Sequence, residues 1–443
     1  MTAFIPPFPE RPAHSLGPLD MLKQIRRDCI SIWSEESYRL QFMGTRILNF
    51  AFFVANCPDV IRHVLVDNAD NYQKKGSPQH KILEPLLGDG LVLSEGALWH
   101  GRRQAIAPWF SAEAVAGYAE TMVKASEECA ERWAAVAPGS AIEVLPQMRI
   151  LAADIMCRAL FGDGFGLTRA TQLAEAFAAY QLAIEQMDFG AFVGLPGWNR
   201  WGGAKKAAAH IHTLIDGIVA EVSKGQYPGS MLAGFLTASS LNPQAIRNEL
   251  ITLFMTGYEA TAVTLAWAIF LVSQCPETEQ KLHAEVDAAP SAAAAMDSFQ
   301  SLPYTRAIID ETLRLYPPTP LLTREAQAAD TIRRRHIPAG ATIFIVPWLL
   351  HRHTLYWEQP DHFIPERFLP DAAVKPRDLA YIPFSAGPKD CLGKLFGTVA
   401  ACLSLAVLTR RFRLRLPAGQ AIAPEGRLTL RPSDNLPMLL TRR

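Results

Sequence analysis

Apolar side chains recur every three or four residues over four long stretches of the chain, a spacing typical of helices that bury one face. The helical stretches are residues 59–136, 150–222, 244–289 and 303–316. Strand-like alternation is confined to two regions, 331–347 with a turn at 338–340, and the tail. The strands predicted in the tail are 412–416, 428–430 and 438–440. This pattern predicts a mainly α protein with a small β region, an α+β fold.

No part of the 443 residues has the composition of an interdomain linker. The Ala-rich segment 288–295 and Gly225–Ser230 are too short to separate folding units, so we expect one domain over 1–443 without a fused reductase. Apolar residues make up 49% of the chain and charged residues 19%, with a net charge of zero. The charge balance gives no indication of nucleic-acid binding or of an anionic membrane surface.

The seven cysteines are odd in number and none stands in C-x-x-C spacing, which argues against a disulfide framework and a zinc site. Residues 1–7 lack the basic and apolar regions of a signal peptide. The most apolar helical stretch, Ala260–Val272, is shorter than a membrane span. We therefore expect a reduced, cytoplasmic monomer that does not span a membrane.

One cysteine has special surroundings. Cys391 lies in a glycine-flanked loop, Phe384–Gly393, just before the apolar, helix-like stretch Lys394–Leu408. A thiolate there lies near the positive end of a helix dipole and near backbone N–H groups, which favour its ionised form. Gly387 and Gly393 let the backbone approach a large flat group. The arrangement suits an axial thiolate ligand of haem iron, and a buried free cysteine is the alternative.

The loop resembles the haem-binding segment of the cytochrome P-450 (haem-thiolate monooxygenase) family, in its soluble bacterial form, with the pattern F-x-x-G-x-R-x-C-x-G. Phe384, Gly387, Cys391 and Gly393 match, whereas Lys389 stands where an arginine usually reaches a haem propionate. Lysine keeps the charge but not the two-pronged hydrogen bonding. The resemblance covers nearly the whole chain and implies the P-450 fold, with haem b as cofactor and Cys391 as its iron ligand.

Two further segments resemble the family's propionate-binding residues. Trp99 and Arg103 lie four apart on one helical face, and an indole N–H with a guanidinium suits a carboxylate. Without the cysteine loop, an amphipathic helix with a snorkelling arginine would be the simpler interpretation. Arg324, after the proline-rich turn, matches a second propionate-binding arginine of the family.

Glu311 and Arg314 are spaced to pair on one face of a helix. The same E-x-x-R spacing at Glu36 and Arg39 predicts no more than an exposed pair. In the family, the later helix pair joins an arginine that follows about fifty residues on, which here is Arg367. The resemblance implies a buried structural network of these three residues, needed for haem incorporation rather than for catalysis.

The stretch around Gly257 resembles the family's oxygen-binding helix, with the motif A-G-x-[D/E]-T-T. Gly257 and Glu259 match, but Ala260 occupies the position of the first Thr. Thr261 points about 100° away along a helix, whereas Thr256 shares the face of Ala260 one turn earlier. The alternative is a core helix with an incidental glutamate.

Three reactions are open at such a site. Water, a substrate hydroxyl or Thr256 delivers protons with the help of Glu259, which gives ordinary insertion of one oxygen atom from O₂ into an apolar molecule. Alternatively, peroxide serves as the oxidant, or an oxygenated lipid rearranges or loses water without O₂. A haem-thiolate gas sensor or carrier without turnover is a different class of function. We expect the monooxygenase.

The resemblance places substrate contacts in four regions. They are residues 86–93, Met187–Trp201, the turn Thr319–Leu322 and the tail turn near Leu436. The second region, with Phe189, Phe192, Pro196, Trp198 and Trp201, is either a mobile lid or a packed connector. Thr319, Leu321, Leu322 and Leu436 are the candidate pocket residues, for a lipid, terpenoid, steroid-like or aromatic substrate.

The chain has no P-loop, no G-x-G-x-x-G after a strand and no iron–sulfur cysteine spacing. A separate ferredoxin or flavodoxin with its reductase is therefore expected to supply electrons, so that NAD(P)H acts only indirectly. Lys389 and Lys394 flank the cysteine and are candidates for docking an acidic partner.

Overall fold

The computed structural model describes residues 4–443 except 18–19, 22–23, 25–27, 48–49, 186–200, 239–240, 290–294 and 374. Helices form most of the described chain, and the prediction of a mainly α protein with a small β region is confirmed. The helices are α1 (Pro58–Arg62), α2 (Pro78–Leu87), α3 (Gly96–Ile106), α4 (Ala112–Ala134), α5 (Val144–Phe161), α6 (Leu167–Glu185), α7 (Trp201–Ser223), α8 (Met231–Ala238), α9 (Pro243–Gln274), α10 (Pro276–Ala288), α11 (Ala295–Gln300), α12 (Pro303–Leu315), α13 (Pro347–Leu350) and α14 (Lys394–Arg411).

The strands form four small sheets in the described residues. The strands are β1 (Phe42–Ile47), β2 (Phe50–Ala55), β3 (Tyr72–Gln73), β4 (Ala141–Glu143), β5 (Leu322–Ala326), β6 (Asp330–Ile332), β7 (Arg335–Ile337), β8 (Thr342–Ile345), β9 (Phe412–Arg415), β10 (Pro424–Gly426), β11 (Leu430–Pro432) and β12 (Pro437–Arg442). The largest sheet has the order β1-β2-β8-β5-β3, with β2 parallel to β8 and the other neighbours antiparallel. A second sheet has the order β4-β12-β9, and β6-β7 and β10-β11 are two-stranded pairs.

The largest sheet is where the sequence prediction falls short. It omits β1, β2, β3 and β5, because β2 (FAFFVA) is a nearly continuous apolar run, β3 has only two residues and β5 (LTREA) carries two charged residues. Neither β2 nor β5 shows clean alternation, and both pair with the distant strand β8. The tail strands, which do alternate, lie close to their predicted positions.

Helix α9 runs through the middle of the helical core. It begins at Asn242, whose side chain accepts a hydrogen bond from the Ala245 amide at 2.8 Å, and Pro243 follows at the first helical position. At 32 residues it is much longer than the apolar stretch considered from the sequence, because the helix continues through the polar residues Asn248 and Glu249. By length and composition it could cross a membrane, but 78% of its most apolar window is buried inside the protein, as also occurs in core helices.

Candidate functional site

The loop before α14 holds Cys391 in a fixed position. The Cys391 amide donates to the Phe384 carbonyl oxygen at 2.8 Å, and the Asp390 amide donates to that of Gly387 at 3.1 Å. Gly387 has a φ of +74°, and a Cβ there would overlap the carbonyl oxygen of Leu65. The loop can therefore close only with glycine at this position.

Cys391 borders a cavity of about 320 Å³ that lies between its loop and α9. Burial is the largest influence on the thiol and raises its pKa, while the Gly393 amide and the cations Arg103 and Lys74 act in the opposite direction. The predicted influence of the backbone amides is thus present, but for the free thiol it is smaller than the opposing effect of burial, even though the cavity leaves the Cys391 side chain exposed. A bound metal cation would deprotonate it.

Two cations near this cavity, the buried Arg324 and the partly buried Lys74, have no carboxylate of the described chain to neutralise them. Arg324 is 3% exposed, lacks an ion pair among the described residues, and donates from Nη1 to its neighbour's carbonyl oxygen, that of Thr323, at 2.8 Å. Burial lowers its pKa to about 10. The Lys74 Nζ donates to the Val92 carbonyl oxygen at 3.0 Å, and burial, followed by repulsion from Arg324 and Lys389, lowers the pKa of Lys74 to about 7.

These observations fit a haem. Its two propionates would supply the anions that Arg324 and Lys74 lack, and Cys391 would supply the iron ligand. Phe384 and Gly393, both predicted cofactor contacts, also line the cavity. Lys74 was missed from the sequence because a single lysine in the loop after β3 belongs to no motif.

The other predicted propionate residues, Trp99, Arg103 and Lys389, line the Cys391 cavity, and the two cations among them already have anionic partners. Arg103 donates to the Asp390 carbonyl oxygen at 2.9 Å and to its carboxylate at 2.6 Å, and its guanidinium lies 5.6 Å from the Trp99 ring centroid. Lys389 forms an ion pair with Glu95. The Lys389 charge expected for a propionate or for a docking partner is therefore neutralised within the protein.

Glu311, Arg314 and Arg367 lie together beneath the loop, as the resemblance implies. Glu311 and Arg314 are fully buried, with two hydrogen bonds from the guanidinium to the carboxylate at 2.6 and 2.8 Å. Glu311 also accepts from the Ile364 amide at 2.8 Å, and the Arg367 Nε lies 3.5 Å from its Oε1. Arg314 also donates hydrogen bonds to three backbone carbonyl oxygens.

His351 connects this network to the cysteine loop. Its Nε2 accepts from the Ile382 amide at 2.9 Å, so its Nδ1 carries the proton and donates to the Arg314 carbonyl oxygen at 3.1 Å. Burial, followed by repulsion from Arg314, lowers the pKa of His351 to about 3, which keeps the imidazole neutral. Sequence reasoning missed His351, because nothing near it in the chain indicates its partners.

On α9, the hydroxyl groups of the predicted motif are bound to the helix itself. The Thr256 hydroxyl donates to the Thr252 carbonyl oxygen at 2.7 Å, and the Thr261 hydroxyl donates to that of Gly257 at 2.8 Å. Thr256 and Ala260 border both the Cys391 cavity and a second cavity of about 240 Å³. Thr261 borders only the first and lies against Gly397 of α14.

Glu259 borders the second cavity and has two partners that the sequence did not indicate. Arg149 of α5 donates to both carboxylate oxygens, at 2.9 and 2.6 Å, and the Thr429 hydroxyl donates at 3.3 Å. Arg149 also lines a third, polar cavity of about 310 Å³, and Gln181 lines both the second and the third. The Glu259–Arg149 pair therefore forms part of the wall between a polar cavity and the pocket.

The predicted substrate residues are partly brought together. Thr319 and Leu322 line both the Cys391 cavity and the second cavity. Leu321 and Leu436 line neither, since Leu321 packs on the core and Leu436 is fully buried in it. In the tail, Leu428 and Thr429 take the position expected of Leu436. The segment 187–201, predicted to be either a lid or a packed connector, lies outside the described residues apart from the backbone of Trp201.

Comparisons with known proteins agree with this geometry. The family model for cytochrome P450 matches residues 33–437. The chain is similar to cyclooctatin synthase of Streptomyces melanosporofaciens, with 31% identity over 84% of this chain and 83% of that protein. It is 27% identical to the chloroplastic carotene epsilon-monooxygenase of Arabidopsis thaliana, over 88% of this chain and 78% of that protein. A crystal structure of the cytochrome P450DA heme domain superposes with a TM-score of 0.81 at 22% identity, covering 99% and 98% of the two chains.

Proposed function

Because the chain belongs to the cytochrome P450 family, we propose that it inserts one oxygen atom from O₂ into an apolar small molecule. The observation that carries the proposal is the single cavity that joins Cys391 to the α9 residues Thr256, Gly257 and Ala260. Haem b, held there, would supply the redox chemistry that activates oxygen.

Residues of this chain would bind the cofactor and shape the pocket around it. Cys391 would hold the iron, and Arg324 and Lys74, with help from Arg103, would hold the propionates. Trp99 fills the space beside Arg103. With the propionates as counter-ions, Arg324 and Lys74 would no longer be unpaired cations, which suits a pocket for an apolar substrate.

Proton supply is the step that Ala260 alters. Glu259 connects the pocket to the polar cavity, because its Oε1 accepts from the Thr429 hydroxyl and from Arg149, which borders that cavity. Thr256 lines the pocket one turn before Ala260 and offers a hydroxyl on that face of α9. In this proposal, Glu259 and Thr256 with pocket water replace the alcohol that Ala260 lacks, so that ordinary monooxygenation is retained.

An isoprenoid is the first substrate class to examine. Leu91, Val92, Leu253, Leu322 and Leu428 give the two cavities apolar walls. A relative of this chain is named for a monooxygenase that acts on carotene, an isoprenoid hydrocarbon. Lipid, steroid-like and aromatic compounds belong in the same screen.

The proposal includes a separate electron donor, a ferredoxin or flavodoxin with its NAD(P)H-dependent reductase. Lys394 supports it, because its exposed ammonium group lies at the start of α14, beside the cysteine loop. We also propose a cytoplasmic monomer that does not span a membrane. All seven cysteines are free thiols, which agrees with a reducing compartment.

The test compares NADPH-driven with H₂O₂-driven turnover of a hit from the apolar screen. Ala260→Thr is expected to raise the product formed per NADPH without changing the product, and Thr256→Val is expected to lower it. Thr409→Val is the matched control, since its hydroxyl makes the same 2.7 Å bond four residues back but lies outside the three cavities.

The same experiment separates the alternatives. Wild-type protein that turns over only with H₂O₂ would identify a peroxygenase and overturn the proposal. A product formed in the absence of both O₂ and H₂O₂ would identify a rearrangement or dehydration. A protein that never consumes NADPH in response to any apolar compound would be a haem-thiolate sensor or carrier.

A further inference from the structure

A buried carboxylate outside the oxygen-binding motif controls one wall of the pocket. The segment Gly88–Leu93 joins α2 towards α3, and its residues Leu91, Val92 and Leu93 line the two cavities next to Cys391 and Ala260. Glu249, on the N-terminal half of α9, lies directly behind this segment and is fully buried. Its Oε2 accepts a hydrogen bond from the Leu91 amide at 3.0 Å.

Arg102 completes the attachment from the other side. This arginine of α3 is 3% exposed, and its Nη1 lies 3.4 Å from the Glu249 Oε1 while its Nη2 lies 2.9 Å from Asp89. Asn248, beside Glu249 on α9, also donates to Asp89 at 2.8 Å. Two neighbouring residues of α9 and one of α3 therefore hold the segment at Asp89 and Leu91.

The packing of the segment leaves little room for adjustment. A Cβ on Gly90 would overlap the Thr252 hydroxyl, and a Cβ on Gly88 would lie 2.5 Å from the Asn248 side-chain nitrogen. The segment therefore lies directly on α9, one turn from the pocket residue Leu253. A shift of the segment would move the pocket wall with it.

The surroundings of Glu249 make the charge of its carboxyl group depend on the pH. Arg102 and Asp89 are the charged groups that face it, whereas α8 and the short helix Ala107–Phe110 present Phe235 and Trp109 across a cavity of about 10 Å³. Burial is the largest influence, and it raises the pKa of Glu249 to about 7, with Asp89 acting in the same direction and Arg102 against it. The carboxyl thus changes its charge near neutral pH.

We propose that Glu249 is a specificity-determining residue of the pocket, because its ionised carboxylate, paired with Arg102, fixes the segment Gly88–Leu93 as a pocket wall. Protonation at Oε1 removes the attraction to Arg102 and leaves the wall held by one neutral hydrogen bond and by Asp89. The wall is then firm above neutral pH and looser below it. This inference rests on the proposed function only in taking the cavity to be the substrate pocket.

Hydrogen exchange of the haem-loaded protein tests the attachment directly. After correction for intrinsic exchange rates, amides of residues 88–93 should be better protected at pH 8 than at pH 6 in the wild type. Glu249→Gln should lower their protection at pH 8 by about tenfold, on the scale of one charge-assisted hydrogen bond, and should abolish the pH difference. Equal protection in wild type and variant would overturn the proposal.

A second variant, Arg102→Gln, keeps the test informative if Glu249→Gln folds poorly. Arg102→Gln removes the other half of the pair and should loosen the same amides, and the two changes together should cost less than their sum. Glu279→Gln is the matched control. It removes a carboxylate of low exposure that is paired with a more exposed arginine, Arg415, and lies away from the pocket, so residues 88–93 should be unaffected.

The link to specificity needs a ligand, for which we choose 4-phenylimidazole at pH 8, since its ring nitrogen binds the haem iron and its phenyl group fills the pocket. Glu249→Gln should weaken its binding about tenfold, in parallel with exchange. Looser amides with unchanged binding would show that the segment is not a pocket wall and would overturn the specificity role. Both readouts are independent of turnover, so they stand whatever the oxidant is.

Discussion

Removing Glu311 should prevent stable haem incorporation, because it leaves a guanidinium buried without its counter-ion. Arg314 and Glu311 are both fully buried, and the carboxylate accepts three hydrogen bonds, two from Arg314 and one from the Ile364 amide. Breaking such a buried pair from one side costs about 3–5 kcal/mol. That is a large share of the roughly 5–15 kcal/mol by which a folded protein is stable.

The assay is the amount of haem per chain, measured from the Soret band of the reduced CO complex, together with urea denaturation of the purified protein. Glu311→Ala is expected to bind little haem, and Glu311→Gln an intermediate amount, because glutamine keeps one acceptor oxygen but no charge. Glu36→Ala is the control, since Glu36 has the same E-x-x-R spacing but is exposed. A Glu311→Ala protein with a full complement of haem and unchanged stability would refute the reasoning.

Three other outcomes follow from groups around the site. Lys394→Glu should slow reduction by an acidic ferredoxin and remove its salt dependence in stopped-flow measurements, and unchanged kinetics would exclude a docking role. The pKa of His351 is lowered from 6.5 to about 3, so the unfolded chain binds the proton at a higher pH than the folded protein does. The free energy of unfolding should therefore fall as the pH drops from 6.5 towards 3. Urea titrations of His351→Asn should show a smaller pH dependence than those of the wild type. Arg324→Gln should speed haem transfer to apomyoglobin about tenfold, on the scale of one charge-assisted hydrogen bond, whereas an unchanged rate would remove Arg324 from the propionate site.

The sequence predicted those parts of the site that lie within short segments. Cys391, Gly387 and Phe384 belong to one ten-residue loop, and Glu311 and Arg314 to one helical turn, so their spacing carries their geometry. The helical periodicity over 244–289 covers nearly all of α9 and α10, but it did not show that the helix ends at Gln274 and a new one begins at Pro276. Both helices bury apolar side chains, so the apolar pattern continues across the break at Cys275.

Contacts between residues that are distant along the chain could not be predicted from the sequence pattern. Arg149 and Thr429 contact Glu259 from α5 and from the tail, and no local pattern connects these three positions. The same holds for Lys74, and for the displacement of the tail contact from Leu436 to Leu428. The turn before β12 holds Leu436 in a left-handed conformation that directs it into the core, a choice set by tertiary packing.

The contact of Gly387 with the Leu65 carbonyl constrains when the protein can mature. The two residues belong to opposite ends of the chain, so the loop that carries Cys391 closes against a segment made much earlier. Contacts so far apart form late in folding, because closing a long loop costs chain entropy before any contact repays it. During synthesis, the helices made earlier are therefore expected to expose an apolar cleft until the cysteine loop has been made. Haem loading would then follow translation and compete with aggregation. Expression at lower temperature with added haem precursor should accordingly raise the yield of loaded protein more than the yield of chain.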